Sequence, residues 1–208
     1  MIKLNDIFPF AKGGNRMCFV HPDNPNRCLK VIHPGILTKI KKSKPWYKQL
    51  RSSESFDDNL REQNAYNQKA LKSNNPEIWD HLAKWYGMVE TDIGIASETE
   101  LIRNNGRIAE TLEEYLFRNG LTDEIKDAIE EFHKWLRQHL VLTKNLIVQN
   151  KKINNYFLFL FSLIPISIIA GSSISLSNIF AKRYVNRRIE LMWSRINWDL
   201  SGRKGNWK

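Results

Sequence analysis

Cys18, His21, Cys28 and His33 place two thiols and two imidazoles within sixteen residues, a donor set that zinc accepts in a tetrahedron. Their order and gaps match no common finger spacing, so the sequence does not favour a zinc site. On neighbouring strands of a hairpin the two cysteines would pack as small hydrophobes, the commoner fate of a free thiol. His133 and His139 stand near the end of a long helical pattern with no glycine-flanked serine or cysteine elbow in the chain, and read as histidines on a helix surface or boundary.

The elements that would position such residues follow from pattern and punctuation. Between Ile7 and Ile32, Lys12-Gly13-Gly14-Asn15 permits positive φ, Met17 to Val20 is a short apolar run, Pro22 to Asn26 is a turn and Cys28 to Ile32 is a second run, which predicts strand, loop, strand, turn, strand. The lysine-rich stretch from Lys39 to Ser55, with Pro45 inside it, reads as a loop before a helix. Ser55, ahead of Asp57 and Asp58, announces that helix, which carries Leu60, Glu62, Ala65, Tyr66 and Leu71 before Pro76.

Strands are predicted at Tyr86 to Val89 and Ile93 to Ala96, a third segment at Glu98 to Arg103, and a turn at Asn104-Asn105-Gly106. Thr111 then opens a capping box, Asn119-Gly120 closes the helix, and Thr122 begins a longer one with Ile125, Ile129, Phe132, Leu136 and Leu140 at helical spacing. The order of strands, helix, strands and helices predicts an α+β fold.

The formal net charge is +10 over 208 residues, and it is unevenly placed. Ile108 to His133 holds eight acids against Arg118 and Lys126, whereas 182–208 holds eight bases against Glu190 and Asp199. A basic block of this kind meets phosphates, anionic lipid or solvent, but no nucleic-acid-binding motif accompanies it, so nucleic acid is not the expected partner. Trp193, Trp198 and Trp207 in that tail read as anchors before they read as base-stacking platforms. Two cysteines and no secretory pattern after Met1 predict a reducing, cytoplasmic setting.

The stretch GGNRMCFVHPDNPNRCLKVI, the helix around LREQNAY, the segment YGMVETDIG and TLEEYL resemble the PhoP regulatory network protein YrbL family, a branch of the protein-kinase-like superfamily. The resemblance covers about Ile7 to Asn150. It implies a protein-kinase-like two-lobed fold, with a small β-rich N-lobe over 1–103 and a shortened helical C-lobe over 104–208. In such an N-lobe a glycine-containing turn approaches nucleotide phosphates, a lysine on the third strand reaches their oxygens, and a glutamate on the next helix orients the lysine. By matching position the turn is Gly13 and Gly14, the lysine is Lys30 and the glutamate is Glu62, with Glu98 to Arg103, Glu100 among them, as the hinge facing the adenine.

The C-lobe of that family pattern supplies an aspartate base, an asparagine five residues later for the metal, and a second metal-binding aspartate downstream. Here Asn145 occupies the base position and Asn150 that of the metal asparagine, and no Asp or Glu occurs between Glu131 and Glu190. Asn145 cannot take a proton as a carboxylate does, and Mg²⁺ would rest on neutral oxygens and the phosphates of ATP. The resemblance therefore implies a pseudokinase that binds a nucleotide or a protein partner without efficient phosphoryl transfer, in a regulatory role. An interaction protein needing no nucleotide and a phosphotransferase with an unusual base are the alternatives.

Residues 153–181 carry no charged side chain and precede the basic tail 182–208. Tyr156 to Phe161 read as a buried strand and the serine-rich part as a loop before a basic helix, with Pro165 as breaker. The alternative is a membrane-anchored protein through 156–178, with bases on both flanks.

Overall fold

The computed structural model describes residues 1–143, 151–153, 156–158 and 174–206. They form two units, one of residues 1–66 and 83–101 and one of 67–82 and 102–208. Strands and helices are mixed, as an α+β sequence predicts.

The first unit is built on a five-stranded antiparallel sheet: β1 (Ala11–Lys12), β2 (Arg16–His21), β3 (Asn24–Ile32), β4 (Trp85–Thr91) and β5 (Gly94–Glu100), in the order β1-β2-β3-β5-β4. Alternation along the strands divides its two faces. Phe19, Leu29, Val31 and Ala96 pack with Leu4 into a core on one face, with Ile2, Ile7, Met17, Val89 and Ile93 around them. The other face carries Cys18, Lys30 and Ser97, which lie abreast because Cys18 pairs with Lys30 and Lys30 with Ser97. Leu4 and its neighbour Asn5 are tied to the sheet by the Asp92 carboxylate, which accepts from the Leu4 N–H at 2.7 Å.

Between β3 and β4 runs a helical stretch: α1 (Ile36–Lys42), α2 (Trp46–Gln49), a 3-10 turn at Ser53–Phe56 and α3 (Asp58–Tyr66). The expected loop at Lys39 to Ser55 is thus largely helical. Gly35 enters α1 at φ 72°, the basic residues of its last turn complement the helix dipole, and the Pro45 carbonyl accepts from the N–H groups of Lys48 and Gln49 to start α2. Asp57, not Ser55, caps α3, its carboxylate accepting from the Asn59 and Leu60 N–H groups at 2.7 and 3.2 Å. The helix stops at Tyr66 rather than running to Leu71. Tyr66 stacks on Trp85 and donates its hydroxyl to the Ala83 carbonyl at 2.8 Å, and two residues on Gln68 is extended.

In the second unit, β6 (Arg103–Asn104) and β7 (Arg107–Ile108) form a hairpin whose two turn residues, Asn105 and Gly106, both have positive φ, as a tight hairpin turn requires. The Thr111 capping box forms as predicted at the start of α4 (Leu112–Asn119), and Gly120 at φ 69° ends it. Thr122 caps α5 (Asp123–His139), which buries Ile125, Ile129, Phe132 and Leu136. The Trp135 indole donates to the Glu77 carbonyl at 2.9 Å. His133 is not a surface residue. It is buried, with Nε2 3.3 Å from the Met192 sulfur and its ring edge-on to Trp193.

A short hairpin pairs β8 (Lys151–Ile153) with β9 (Tyr156–Leu158). The last element, α6 (Ile174–Leu200), starts inside the serine-rich segment expected to be a loop. Val185, Ile189, Met192 and Ile196 recur at helical spacing along it and are buried, while Lys182, Arg183 and Arg187 face solvent. Among the described residues no helix is long and apolar enough to cross a membrane. Most of 156–178 lies outside those residues.

Candidate functional site

The Lys30 face of the first unit concentrates its buried polar chemistry. Lys30 sits mid-sheet on β3 with its side chain only 4% exposed, and Glu62, 3% exposed, reaches it from α3. The ammonium donates to Glu62 Oε1 at 2.6 Å. The other carboxylate oxygen accepts from Arg16 Nη1 at 2.8 Å and from the Ser97 hydroxyl at 3.0 Å. Asn59, one turn before Glu62, donates to the Lys30 carbonyl at 2.8 Å and accepts from Arg16 at 3.3 Å.

The electrostatics follow from that geometry. Burial pushes the Glu62 carboxyl up, but Lys30 and Arg16 outweigh it and hold the group below the ordinary carboxylate range. Burial opposes the Arg16 charge, and Glu62 more than offsets it, so its guanidinium is held above its ordinary value. One buried anion therefore faces a buried cation, Lys30, and a largely buried one, Arg16, whose side chain is 13% exposed. The surplus positive charge is suited to an anionic ligand.

Cys18 and Cys28 share this face. Cys28 is fully buried and Cys18 half-buried. A hydrogen bond from the Cys28 thiol is the main cause that lowers Cys18 to about 7, against burial and with help from Lys30 and Arg16. The same pairing, with burial, drives Cys28 well up. The neighbouring histidines are engaged apart from the sulfurs. His33 Nε2 lies 2.9 Å from the Gly13 carbonyl, and His21 Nε2 lies 3.8 Å from Glu98 while its Nδ1 accepts from the Asp23 N–H. Among the described residues no group of three or more His, Cys, Asp and Glu could hold a metal ion.

Gly13 and Gly14 lie in the exposed turn between β1 and β2, where the Gly13 N–H donates to the Arg16 carbonyl at 2.9 Å. Neither uses the positive φ that the sequence permits. A side chain at Gly14 would meet nothing within 4 Å, so the turn leaves open space above its backbone. Glu100 ends β5, its carboxylate accepting from the Lys84 N–H at 3.2 Å, and the chain passes from the first unit to the second after Leu101. Asn145 and Asn150 lie outside the described residues.

Lys30 and Glu62 are thus brought together, and Gly13, Gly14 and Glu100 are placed in the same unit. Arg16, Asn59 and Ser97 were not singled out from the sequence, although a signal existed for the first two. Arg16 is two residues before Cys18, hence on the same strand face, and Asn59 is one helical turn before Glu62. Thr99, on β5 opposite Cys28, has a buried hydroxyl with no hydrogen-bond partner among the described residues.

Comparison with known proteins places the chain in a family. The chain is 23% identical over 157 residues to "Uncharacterized protein YrbL" of Escherichia coli (strain K12), and equally to that of Shigella flexneri. Each match takes in 72% of this chain and 64% of the relative, so the chain spans under two thirds of the length of these curated relatives. No solved structure gives a significant match. The model of the family described as PhoP regulatory network protein YrbL matches residues 2–156, most of the chain, which therefore belongs to the YrbL family.

Proposed function

We propose that the chain binds a nucleotide on the Lys30 face of its N-terminal sheet and acts in regulation rather than in phosphoryl transfer, as a two-lobed protein-kinase-like fold with its N-lobe over 1–103 and a shortened C-lobe over 104–208. The observation that carries this reading is the buried Lys30–Glu62 pair. A strand lysine held by a glutamate of the following helix is the device by which kinase-like N-lobes present a cation to nucleotide phosphates.

Three further features support it. Arg16 leaves the cluster with a net positive charge, which an anionic phosphate would neutralise. Gly14 keeps the β1–β2 turn open to close approach. The Thr99 hydroxyl, buried and without a partner among the described residues, lies on the same sheet face one residue before Glu100. These residues fit a nucleotide, with Lys30 and Arg16 toward its phosphates.

Magnesium fits less well. No carboxylate occurs between Glu131 and Glu190, and the amide oxygen of Asn150 is a weak ligand for a hard dication. A regulatory role is in keeping with the family's description as a regulatory-network protein.

The test is thermal unfolding with and without millimolar ATP, in magnesium and in EDTA, because a ligand of the folded state alone must raise its stability. The expected result is a metal-independent rise that shrinks in Gly14→Ala and disappears in Lys30→Ala. No rise in a folded sample overturns the nucleotide and leaves an interaction protein. A rise only in magnesium overturns the metal-free reading.

A further inference from the structure

Between Asn24 and Ser53 the chain contains no acid, and Ile36 to Arg51 alone carries six bases: Lys39, Lys41, Lys42, Lys44, Lys48 and Arg51. Among the described residues none of the six makes an ion pair. A folded surface ordinarily mixes signs, so this segment of α1, α2 and their connection is a concentrated positive patch.

The same segment exposes large apolar side chains. Trp46 is 75% exposed, Leu50 79% and Tyr47 55%, and α1 and α2 bury no residue. They are held in place regardless. α1 packs on the 3-10 turn at Ser53–Phe56, and the Gln49 amide donates to the Lys44 carbonyl at 2.7 Å, closing the connection across Pro45. The Trp46 and Tyr47 rings stand edge-on, their centroids 6.2 Å apart, and the Lys48 ammonium lies 5.8 Å from the Tyr47 ring centre.

We propose that Ile36–Arg51 is a docking surface for an anionic lipid bilayer. A membrane interface asks for two things together: bases at the level of acidic headgroups, and Trp, Tyr or Leu side chains that enter the acyl boundary. Both are present on one short ordered segment. A polyanion such as RNA would use the bases and could stack on Trp46 and Tyr47, but it has no use for Leu50, the most exposed apolar side chain of the three. The surface lies within the first unit, shares no residue with the Lys30, Glu62 and Arg16 cluster, and does not depend on nucleotide binding.

The test is co-sedimentation of the full chain with vesicles of phosphatidylcholine alone and of phosphatidylcholine mixed with phosphatidylserine. The expected result is salt-sensitive binding to the mixed vesicles only. Lys39→Gln, Lys42→Gln and Lys44→Gln together lower it on the order of a hundredfold, at about fivefold per base. Trp46→Ser with Leu50→Ser lowers it on the order of tenfold. All five side chains are exposed, so a thermal melt like that of the wild type certifies the variants as folded.

Equal binding to both vesicle types, or variants that bind like the wild type, overturns the proposal, because the attachment then lies elsewhere in the chain. Loss in the lysine variant with none in the Trp46 and Leu50 variant also overturns it, and reassigns the patch to a polyanion without an apolar requirement.

Discussion

The two oxygens of Glu62 are divided between two cations, Oε1 taking Lys30 at 2.6 Å and Oε2 taking Arg16 at 2.8 Å. Lys30 and Glu62 are removed from water and Arg16 largely so, and their mutual neutralisation matters more than the contact energy of either pair. Glu62→Ala leaves the buried Lys30 uncompensated and Arg16 without its carboxylate, and is expected to cost about 3–5 kcal/mol. Lys30→Met costs less, because Arg16 still neutralises Glu62. Urea unfolding of the two variants checks the ranking, and an equal or reversed order would show that Arg16 does not share the charge.

The same carboxylate sets an acid limit. Its pKa is lowered in the folded state, so the unfolded chain binds the proton more readily and stability rises with pH. The contribution is present in full above the ordinary carboxylate range and is lost as pH falls through the depressed folded value. Unfolding free energy measured from neutral pH into that acid range should fall more steeply for the wild type than for Glu62→Gln, which cannot titrate.

How much of this was legible beforehand depended on the range of the interaction. Thr111 with Glu114, Asn119-Gly120 and the α5 stripe are local patterns, and the structure reproduces them. The end of α3 at Tyr66 is not local, since it follows the partners of Tyr66 across the chain at Ala83 and Trp85. His133 failed for a similar reason: its neighbours Met192 and Trp193 are about sixty residues away, on a basic helix whose sequence does not say what it packs against. Lys30 and Glu62 were found through family resemblance. Arg16 was missed because a basic residue beside a turn reads as solvated.

Cys18, lowered to about 7 by the Cys28 thiol and by Lys30 and Arg16, should alkylate ahead of Cys28. The thiolate is the reactive form. Its alkylation rate, followed by mass spectrometry, is expected to climb with a midpoint near neutrality. Cys28→Ala removes the donated S–H, so the midpoint moves toward that of an ordinary thiol. A Cys28-first labelling order would contradict the assignment.

In the second unit, the Thr111 hydroxyl accepts from the Glu114 N–H at 3.1 Å and Glu114 returns the bond to the Thr111 N–H at 2.7 Å. Thr111→Ala should lower stability by about 1 kcal/mol, while Thr111→Ser, which keeps the oxygen, costs only a fraction of that. Denaturant midpoints of the two variants measure the difference.

Two glycines of the first unit allow the backbone and ligand roles to be separated. At Gly94 the backbone has φ +126°, and a Cβ would stand 3.7 Å from the Val31 side chain; Gly94→Ala forces a conformation that side chains rarely adopt and should destabilise by more than about 1 kcal/mol. Gly14 has neither constraint. Gly14→Ala restricts the unfolded chain without straining the folded one, so its unfolding temperature without ligand should be unchanged or slightly raised, by up to about 1 kcal/mol of stability. If phosphates approach the turn, that same variant should lose much of its ATP-induced rise. Because the methyl group is added on the open side of the turn, a lost ligand response with an intact apo melt can only come from the space above Gly14, whereas an undiminished response would place the phosphates away from the glycine turn.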